Sequence, residues 1–417
     1  MLDIERIRTN GDAVRKALRD RQMSEKVLDD FLSLDIDWRK ATQSVDETRA
    51  ELKKASEARD IPMAKKIKEG LKESEARLGE LEAKRNELLP RLPNIPLDSV
   101  PVGKDESENK VVKTVGEPRQ EKGRDYLMLG SELELIDVER ASKVSGSRFG
   151  YLLGKAVLLE FALVRFAMDV LVKEGFIPVV PPVMVKPEIM HGMGKTKFIA
   201  DGDAFYMPAD DLYLVGSSEH SIGPMHMNEV FKEVDLPRRY VGFSTCFRRE
   251  AGTYGKDTKG ILRVHQFDKV EMFSFVRPED SEKEHAFLLS LQEKMMSALG
   301  LPYRVMEICT GDMGFGDVRQ FDIEAWIPAE GKYRELCSTS NVGDFQSRGL
   351  SIKFKRGETG KNEYVHTLNG TAFAIGRTLI AILENCQTPE GGVIIPEALV
   401  PYAGFSEIKP SATHGNQ

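Results

Sequence analysis

The chain has 417 residues, 41% of them hydrophobic and 30% charged, which is typical of a globular protein with a large core. Its formal net charge of −7 excludes a globally basic nucleic-acid coat, so any contact with RNA must come from a local patch. Four scattered cysteines without a Cys-x-x-Cys pair argue against a disulfide framework or a structural zinc site.

The N-terminus shows no targeting segment. Residues 1–6 lack the apolar core of a signal peptide, and no apolar run in the chain reaches the roughly 18 residues of a membrane span. Together with the scattered cysteines, this predicts a cytoplasmic protein that does not contact membranes.

Residues 24–90 predict a helical hairpin. Apolar or small side chains recur at alternating steps of three and four in two seams separated by Asp60-Ile61-Pro62. Two such seams joined by a turn are typical of an antiparallel coiled coil, and Pro62 suits the first turn of the returning helix. The seam positions are Phe31, Leu34, Trp38, Ala41, Val45, Thr48 and Leu52, then Ile67, Leu71, Ser74, Leu78, Leu81, Arg85 and Leu88.

The turn end of this hairpin is locally basic. Two acidic residues, Glu57 and Asp60, are outnumbered there by Lys53, Lys54, Arg59, Lys65, Lys66 and Lys68. Such an excess suits an RNA backbone, but the solvated faces of a spacer or dimerisation coiled coil often carry as many lysines. Both interpretations stay open at this point.

The rest of the chain predicts an α+β fold. Residues 101–125 are polar and typical of a linker, residues 152–173 predict an apolar helix, and residues 176–185 predict an edge or bulged strand because they contain prolines. The close succession of further strands predicts an antiparallel sheet flanked by helices. These strands are predicted at residues 212–215, 239–247, 269–275, 303–308 and 320–327.

A nucleotide site is predicted by Phe-Arg-Arg-Glu at 247–250 and Arg-Val-His-Gln-Phe-Asp-Lys-Val-Glu at 263–271, with a Gly- and Lys-bearing loop at 251–260 between them. The planar guanidinium of Arg248 can bind a phosphate or a carboxylate through two hydrogen bonds. Ionised Glu250 only accepts hydrogen bonds, which fits the exocyclic amine of adenine, and Phe267 offers a face for the base. Glu271 is left for a second substrate. No Rossmann or Walker motif is present.

These two strings resemble motif 2 of class II aminoacyl-tRNA synthetases, in the version found in the seryl-tRNA synthetases. The string Leu-Asn-Gly-Thr-Ala-Phe-Ala-Ile-Gly-Arg at 368–377 resembles motif 3, and residues 152–185 resemble motif 1, with Pro181 or Pro182 as its proline. Gly-Ser-Ser-Glu-His at 216–220 resembles the family's Thr-x-Glu element, with Ser217 where threonine is usual. The resemblance covers nearly the whole chain. It implies a tRNA-binding helical arm at 1–105 and a class II catalytic domain at 106–417.

The resemblance also implies roles for individual residues. Arg248 and Arg377 would be the catalytic residues, and the arm lysines Lys53, Lys54, Lys65 and Lys66 would bind tRNA. Glu335 and Ser338 would hold Mg²⁺, which prefers oxygen ligands. Serine would be bound by Ser217, Ser218, Glu219, Arg248, Glu271, Asn369 and Thr371. ATP would be bound by Arg248, Arg249, Glu250, Val264, Phe267, Glu335, Leu336, Cys337, Ser338 and Arg377.

The implied activity is ATP-dependent activation of L-serine followed by its transfer to tRNA(Ser), in a homodimer that does not bind DNA. Whether tRNA(Sec) is charged as well stays open. A class II synthetase for another amino acid would lack the pair Glu271 and Thr371, and a paralogue that charges a carrier protein would lack the hairpin. A non-catalytic RNA-binding descendant would have lost Arg248, Glu250 or Arg377. The zinc-dependent seryl enzyme of methanogens is disfavoured, with Cys246 and Cys337 as the residues to check.

Overall fold

The computed structural model describes residues 1–251 and 259–410, so residues 252–258 of the predicted Gly- and Lys-bearing loop lie outside the described residues. The chain divides into two compact units, Met1–Ile95 and Pro96–Gln417. The division falls before residue 105, where the sequence placed the domain boundary. Three backbone hydrogen bonds tie residues 96–105 to the rest of the second unit. The Leu97 amide donates to the Val318 oxygen, the Thr310 amide to the Pro101 oxygen, and the Gly311 amide to the Gly103 oxygen.

The first unit is entirely helical in its regular structure. Every predicted seam position of the two long helices is buried or half-buried, while most of the intervening positions are exposed. Asp60 caps the returning helix by accepting a hydrogen bond from the Met63 amide at 3.0 Å, and Pro62 lies in the first turn as predicted. The helical hairpin is therefore confirmed. The helices are α1 (Ile4–Thr9), α2 (Gly11–Asp20), α3 (Lys26–Glu57) and α4 (Ile61–Leu88).

A buried ion cluster explains why an arginine occupies the second seam. Arg85 donates from Nε to Asp35 Oδ1 at 2.9 Å, and Arg8 donates to the other oxygen of the same carboxylate at 2.8 Å. The guanidinium of Arg85 also lies 4.4 Å from the ring centroid of Trp38. Burial opposes ionisation of Asp35, yet these two arginines keep its pKa below the ordinary value. A buried carboxylate is tolerated when it is paired in this way.

The second unit is built on an eight-stranded sheet. Its spatial order is β1-β5-β6-β7-β8-β4-β3-β2, and all neighbours are antiparallel except β2 and β3. The antiparallel sheet predicted from the sequence is therefore confirmed. The strands are β1 (Lys110–Val115), β2 (Ile177–Val179), β3 (Arg238–Phe247), β4 (Gln266–Val276), β5 (Tyr303–Glu307), β6 (Arg319–Ile327), β7 (Lys332–Gly343) and β8 (His366–Ala374).

Helices flank this sheet and share one large apolar core with it. Leu163, Leu291 and Leu379, from three different helices, are buried in the same cluster as Val270 and Ile323 of the sheet. The helices are α5 (Tyr126–Glu132), α6 (Val138–Ser145), α7 (Lys155–Lys173), α8 (Pro187–Gly192), α9 (Thr196–Ala200), α10 (Glu219–Ile222), α11 (Ser281–Ala298), α12 (Phe345–Leu350), α13 (Ile375–Asn385) and α14 (Val400–Ala403). The short strands outside the main sheet include Met184–Val185, Tyr206–Met207, Leu212–Leu214, Val230–Lys232, Lys353–Lys355 and Asn362–Tyr364.

Three predictions about local structure were wrong. The polar stretch at 101–125 contains β1, an exposed edge strand whose lysines hide its β character. The strand predicted at 176–185 is two short strands, Ile177–Val179 and Met184–Val185, because adjacent prolines cannot donate to a sheet. The helix predicted from residue 152 begins at Lys155, since the preceding residues pair with another short strand. Within the described residues, no helix combines the length and apolar content needed to cross a bilayer.

Candidate active site

A cavity of about 490 Å³ lies over the sheet. Side chains of strands β4, β7 and β8 line it, together with residues of helices α9, α10 and α13. Most of the residues predicted to bind ATP and serine meet in this cavity. They come from segments that are far apart in sequence, as with Glu271 and Thr371, which are 100 residues apart. The sheet therefore assembles the candidate site.

Strand β4 presents three cavity-lining side chains on one face. Phe267, Lys269 and Glu271 are two residues apart, so the alternation of a strand directs them to the same side. Register then places Glu271 opposite Thr371 of β8, and Thr371 Oγ1 donates to Glu271 Oε2 at 3.0 Å. Lys269 Nζ lies 2.7 Å from the same oxygen, and Asn369 Nδ2 donates to Oε1 at 3.3 Å. Glu271 is thus a buried carboxylate with three side-chain partners.

A bulge in β7 brings Glu335 and Ser338 into the cavity together. In a regular strand, Glu335 and Ser338 would point to opposite faces because they are three residues apart. The pairing with β6 skips Leu336, and this bulge lets both side chains face the cavity. Ser338 Oγ accepts a hydrogen bond from Gln320 Nε2 at 3.1 Å. The bulge therefore aligns a carboxylate and a hydroxyl.

Arg377 lies in the first turn of α13 and contacts the bulged strand. Its Nη1 donates to the Glu335 carbonyl oxygen at 2.9 Å and lies 3.2 Å from Glu335 Oε2. The charge of Arg377 holds the pKa of Glu335 below its ordinary value. Burial and the nearby Glu335 carboxylate raise the pKa of Asp322 on β6. The pKa values of these two adjacent carboxyl groups are therefore shifted in opposite directions.

Most of the predicted nucleotide residues line the other part of the cavity. Arg248 is fixed by a hydrogen bond from Nε to the Gly216 oxygen at 3.1 Å, and its guanidinium lies 5.4 Å from the Phe267 ring centroid. Val264 and Leu336 provide apolar walls. Glu250 has a left-handed φ of 51°, and its backbone oxygen accepts a hydrogen bond from Arg148 Nη1 at 2.8 Å.

Glu219 begins helix α10 and is a buried carboxylate of the cavity. Its Oε1 accepts a hydrogen bond from Gln346 Nε2 at 2.9 Å and lies 2.8 Å from Lys195 Nζ. Ser217 Oγ accepts a hydrogen bond from the Glu219 amide at 3.2 Å and so shapes the start of the helix. Burial would raise the pKa of Glu219, but the charge of Lys195 lowers it to about 2.

Three predicted residues have side chains outside the cavity. Ser218 is buried, with its Oγ 2.8 Å from Ser244 Oγ, and the Arg249 guanidinium lies 4.3 Å from the Phe205 ring centroid. The Cys337 thiol donates to the Ala372 oxygen within the core, where burial raises its pKa. Their predicted ligand contacts remain predictions that rest on the resemblance.

Other cavity residues were missing from the predicted set, namely Lys195, Arg263, Lys269, Gln320 and Gln346. The spacing of Lys269 from Phe267 and Glu271 would have revealed it. Lys195 and Gln346 lie in no recognisable motif, and only the folded chain brings them to Glu219. Among residues 1–251 and 259–410, no three His, Cys, Asp or Glu side chains are grouped to hold a metal ion. Cys246 and Cys337 are both buried free thiols.

Comparison with known proteins identifies the family of the chain. The family model of the seryl-tRNA synthetase N-terminal domain matches residues 1–96, and that of the tRNA synthetase class II core domain (G, H, P, S and T) matches residues 205–386. A serine--tRNA ligase of Thermococcus onnurineus is 43% identical, over 99% of this chain and 98% of the relative. The chain belongs to the seryl-tRNA synthetase family. A serine--tRNA ligase of Thermobifida fusca is 44% identical over 99% of this chain and 100% of its own.

Solved structures of seryl-tRNA synthetases are similar over nearly the full chain. The enzyme of Pyrococcus horikoshii complexed with ATP matches with a TM-score of 0.92 and 41% identity, covering 98% of this chain and 100% of that chain. The cytoplasmic enzyme of Naegleria fowleri in complex with AMP matches with a TM-score of 0.87 and 33% identity, covering 98% and 97%. The family resemblance and the fold class predicted from the sequence are therefore confirmed.

Proposed function

We propose that the protein is a serine--tRNA ligase that activates L-serine with ATP and transfers it to the 3′ end of tRNA(Ser). One observation carries this conclusion. A single cavity holds two arginines suited to phosphates, Arg248 and Arg377, beside a buried Glu271–Thr371 pair suited to a small hydroxyl. An ATP-dependent synthetase for serine needs both of these features in one place.

ATP is bound by the side of the cavity formed from β4 and the residues after β3. Phe267 stacks on the adenine, and Glu250 accepts hydrogen bonds from its exocyclic amine. Arg248 and Arg377 bind the phosphates, since the terminal nitrogens of Arg248 have no hydrogen-bond partner among the described residues. Val264 and Leu336 are buried at the cavity wall and exclude water from the base.

Serine is recognised by the two buried carboxylates. A carboxylate accepts about four hydrogen bonds, and Glu271 already has three side-chain partners, which leaves one position for the serine hydroxyl. Glu219 has two partners, both on Oε1, so Oε2 is available to the α-ammonium group. Asn369, Thr371 and Ser217 complete the pocket. Arg248 pairs with the carboxylate of the serine substrate.

The chemistry requires positioning and charge stabilisation. A serine carboxylate oxygen attacks the α-phosphorus of ATP, the bond from that phosphorus to the bridging oxygen breaks, and pyrophosphate leaves. A terminal ribose hydroxyl of tRNA then attacks the seryl carbonyl carbon, loses its proton and releases AMP. Arg248 and Arg377 neutralise the charge that develops at phosphorus. No protein nucleophile takes part, because alignment of the reactants supplies much of the rate.

Glu335 and Ser338 are the residues that would hold Mg²⁺. Both offer oxygen ligands on the cavity side of β7, and Arg377 keeps Glu335 ionised, so the donor set fits a hard divalent cation. When bound, the ion would neutralise phosphate charge. The two residues are tested by comparing the Mg²⁺ dependence of activation in the wild type and in Glu335→Gln.

Pyrophosphate exchange across all twenty amino acids tests the proposed activity. We expect serine to support the fastest exchange, with tRNA(Ser) charging in a second assay. Exchange with a different amino acid would identify another class II specificity. Absence of exchange with every amino acid would contradict an enzymatic role. Charging of tRNA(Sec), which the sequence leaves open, is measured in a separate assay.

The basic end of the hairpin is proposed as the tRNA-binding surface. Lys53, Lys54, Lys65 and Lys66 are all exposed at the turn end of α3 and α4. None of the four forms an ion pair with a described residue, so their charges are available to RNA phosphates. Their clustering on both sides of one turn favours an RNA contact over a spacer role.

Reversing these four charges to glutamate should weaken tRNA(Ser) binding and flatten its salt dependence. Each phosphate contact contributes about 0.9 to the slope of log K against log salt for a duplex. Binding is measured over a range of salt concentrations, and serine activation without tRNA should stay unchanged because the active site is in the second unit. A matched control reverses four exposed charges further from the turn, at Lys40, Lys72, Arg77 and Lys84. An unchanged slope in the first variant would mean that the arm is a spacer.

Free cysteines fit a reducing cytoplasm, which is the proposed location. A homodimer is proposed from the exposed apolar surface. Several large apolar side chains on α7 and around β2 are exposed, and a groove of about 690 Å³ lies among them. Clustered exposed apolar side chains mark an interaction surface, so a second copy of the chain is the expected partner. The most exposed members are Leu158, Phe161, Val172 and Val180. Sedimentation analysis measures the oligomeric state.

A further inference from the structure

Glu219 is held from one side only. Lys195 Nζ and Gln346 Nε2 both contact Oε1, at 2.8 and 2.9 Å, and no other described residue donates a hydrogen bond to Oε2. Gln346 is itself fixed, because its Oε1 accepts a hydrogen bond from Thr367 Oγ1 at 2.7 Å. Both Glu219 and Lys195 line the cavity. This carboxylate therefore has one anchored oxygen and one available oxygen.

We infer that Lys195 is a positioning residue for serine binding, which keeps Glu219 ionised and oriented so that Oε2 receives the substrate α-ammonium group. The inference rests on the proposed function, since it assigns a partner to the serine site. It concerns a residue outside every motif, on the segment between α8 and α9. The lysine acts through Glu219 and need not contact the substrate.

Electrostatics single out Lys195 among the groups that face Glu219. The other charged or titratable neighbours are His220 and Lys269. Burial lowers the pKa of His220 to about 3, so this ring is neutral at physiological pH. Lys269 Nζ lies 2.7 Å from Glu271 Oε2 and is committed to that carboxylate. Lys195 is thus the cation that offsets the burial of Glu219.

The backbone around Lys195 is fixed on both sides. The Lys195 amide donates to the Met190 oxygen at 2.9 Å, and its own oxygen accepts from the Ile199 amide at 3.1 Å. The preceding Gly194 has a φ of 73°, and a Cβ there would lie 2.6 Å from the Phe345 ring. Only glycine fits that position without strain. A long side chain on a fixed backbone can place its ammonium group reproducibly at Glu219.

The test measures pyrophosphate exchange by the full chain with Lys195→Met. The KM for serine should rise roughly tenfold to a hundredfold, because a hydrogen bond to a charged group contributes about 1.5–3 kcal/mol. The KM for ATP and the kcat at saturating serine should stay within about threefold of wild type, as expected when ground-state binding of one substrate is lost. Lys195→Arg should restore most of the affinity, because it keeps the charge.

The pH profile separates this role from a structural one. Without Lys195 the pKa of Glu219 rises, so a fraction of the carboxyl is protonated at acidic pH and cannot bind an ammonium group. The acidic limb of kcat/KM for serine should therefore move upward by about one to three pH units in Lys195→Met. In the wild type the carboxylate stays ionised well below pH 5, since its pKa is about 2. Lys195→Arg should retain the wild-type profile.

A matched control removes an ion pair of the same length outside the cavity. Lys294 Nζ lies 2.8 Å from Glu174 Oε1 on the surface, so Lys294→Met should change neither the KM for serine nor the pH profile. A wild-type KM and profile in Lys195→Met would overturn the inference. A lower KM would also overturn it, because Lys195 would then compete with the substrate. If the wild type itself fails to activate serine, the proposed function fails instead.

Discussion

Serine should be activated about 10⁴-fold more efficiently than alanine, as measured by kcat/KM in pyrophosphate exchange. Alanine differs from serine only by the missing hydroxyl. When alanine is bound, the position on Glu271 that accepts the serine hydroxyl would be left empty. Water cannot readily fill it, because Glu271 is only 1% exposed. A buried polar group without its partner carries a large free-energy penalty, whereas an extra methyl group in an apolar pocket changes binding much less.

Thr371→Val tests whether this pair is the source of the discrimination. Valine keeps the shape of threonine but cannot donate to Glu271 Oε2, a hydrogen bond of 3.0 Å in the native protein. The kcat/KM for serine should fall while that for alanine changes little, so that the ratio narrows. The KM for ATP is the internal control. A ratio that stays at the wild-type value would place serine recognition elsewhere in the cavity. We expect threonine to be excluded by the size of the pocket, and to be excluded less strictly than alanine because Ser217 is smaller than the usual threonine.

The fold was largely predictable because its strongest patterns are local. The two seams of α3 and α4 repeat over many turns, and the cap at Asp60 with Pro62 is a short-range feature. The central strands are apolar enough to be recognised from composition. Strand β1 was missed because it is an exposed edge strand with a charged sequence, Lys-Val-Val-Lys-Thr-Val, that resembles a linker. Edge strands bury little, so their sequences carry little periodicity.

The site was predictable in its motifs but not in its contacts. Glu271 and Thr371 were both identified, yet the register that pairs them joins residues 100 positions apart. The bulge at Leu336, which turns Glu335 toward the cavity, has no counterpart in the local sequence. The role of Lys195 could not be predicted from the local sequence either, because its partner Glu219 belongs to another element. Sequence patterns locate functional segments, whereas ion pairs between segments depend on the tertiary fold.

Replacing Arg377 with alanine should lower the rate of serine activation by about 10²- to 10³-fold, because the substitution removes a preorganised positive charge directed at the transition state. Arg377 lines the cavity from the first turn of α13, and its contact with Glu335 fixes its direction. The loss should fall mainly on kcat in pyrophosphate exchange, since charge develops on the phosphorus oxygens as the reaction proceeds. The KM for serine should change much less, because Glu219 and Glu271 still bind the amino acid.

The fold should survive this substitution, since alanine is a good helix former and α13 is held by its buried apolar face. Thermal unfolding measures this directly. Arg304→Ala is the matched control: its guanidinium pairs with Glu324 at 2.5 Å on the sheet, away from the cavity, so activation should stay at the wild-type rate. Arg377→Lys separates charge from geometry, because a lysine keeps the positive charge but loses the bidentate fork and should recover only part of the rate. A folded Arg377→Ala protein with wild-type kcat would show that the motif 3 arginine does not act on the phosphates, and the proposed arrangement of ATP in the cavity would then be wrong.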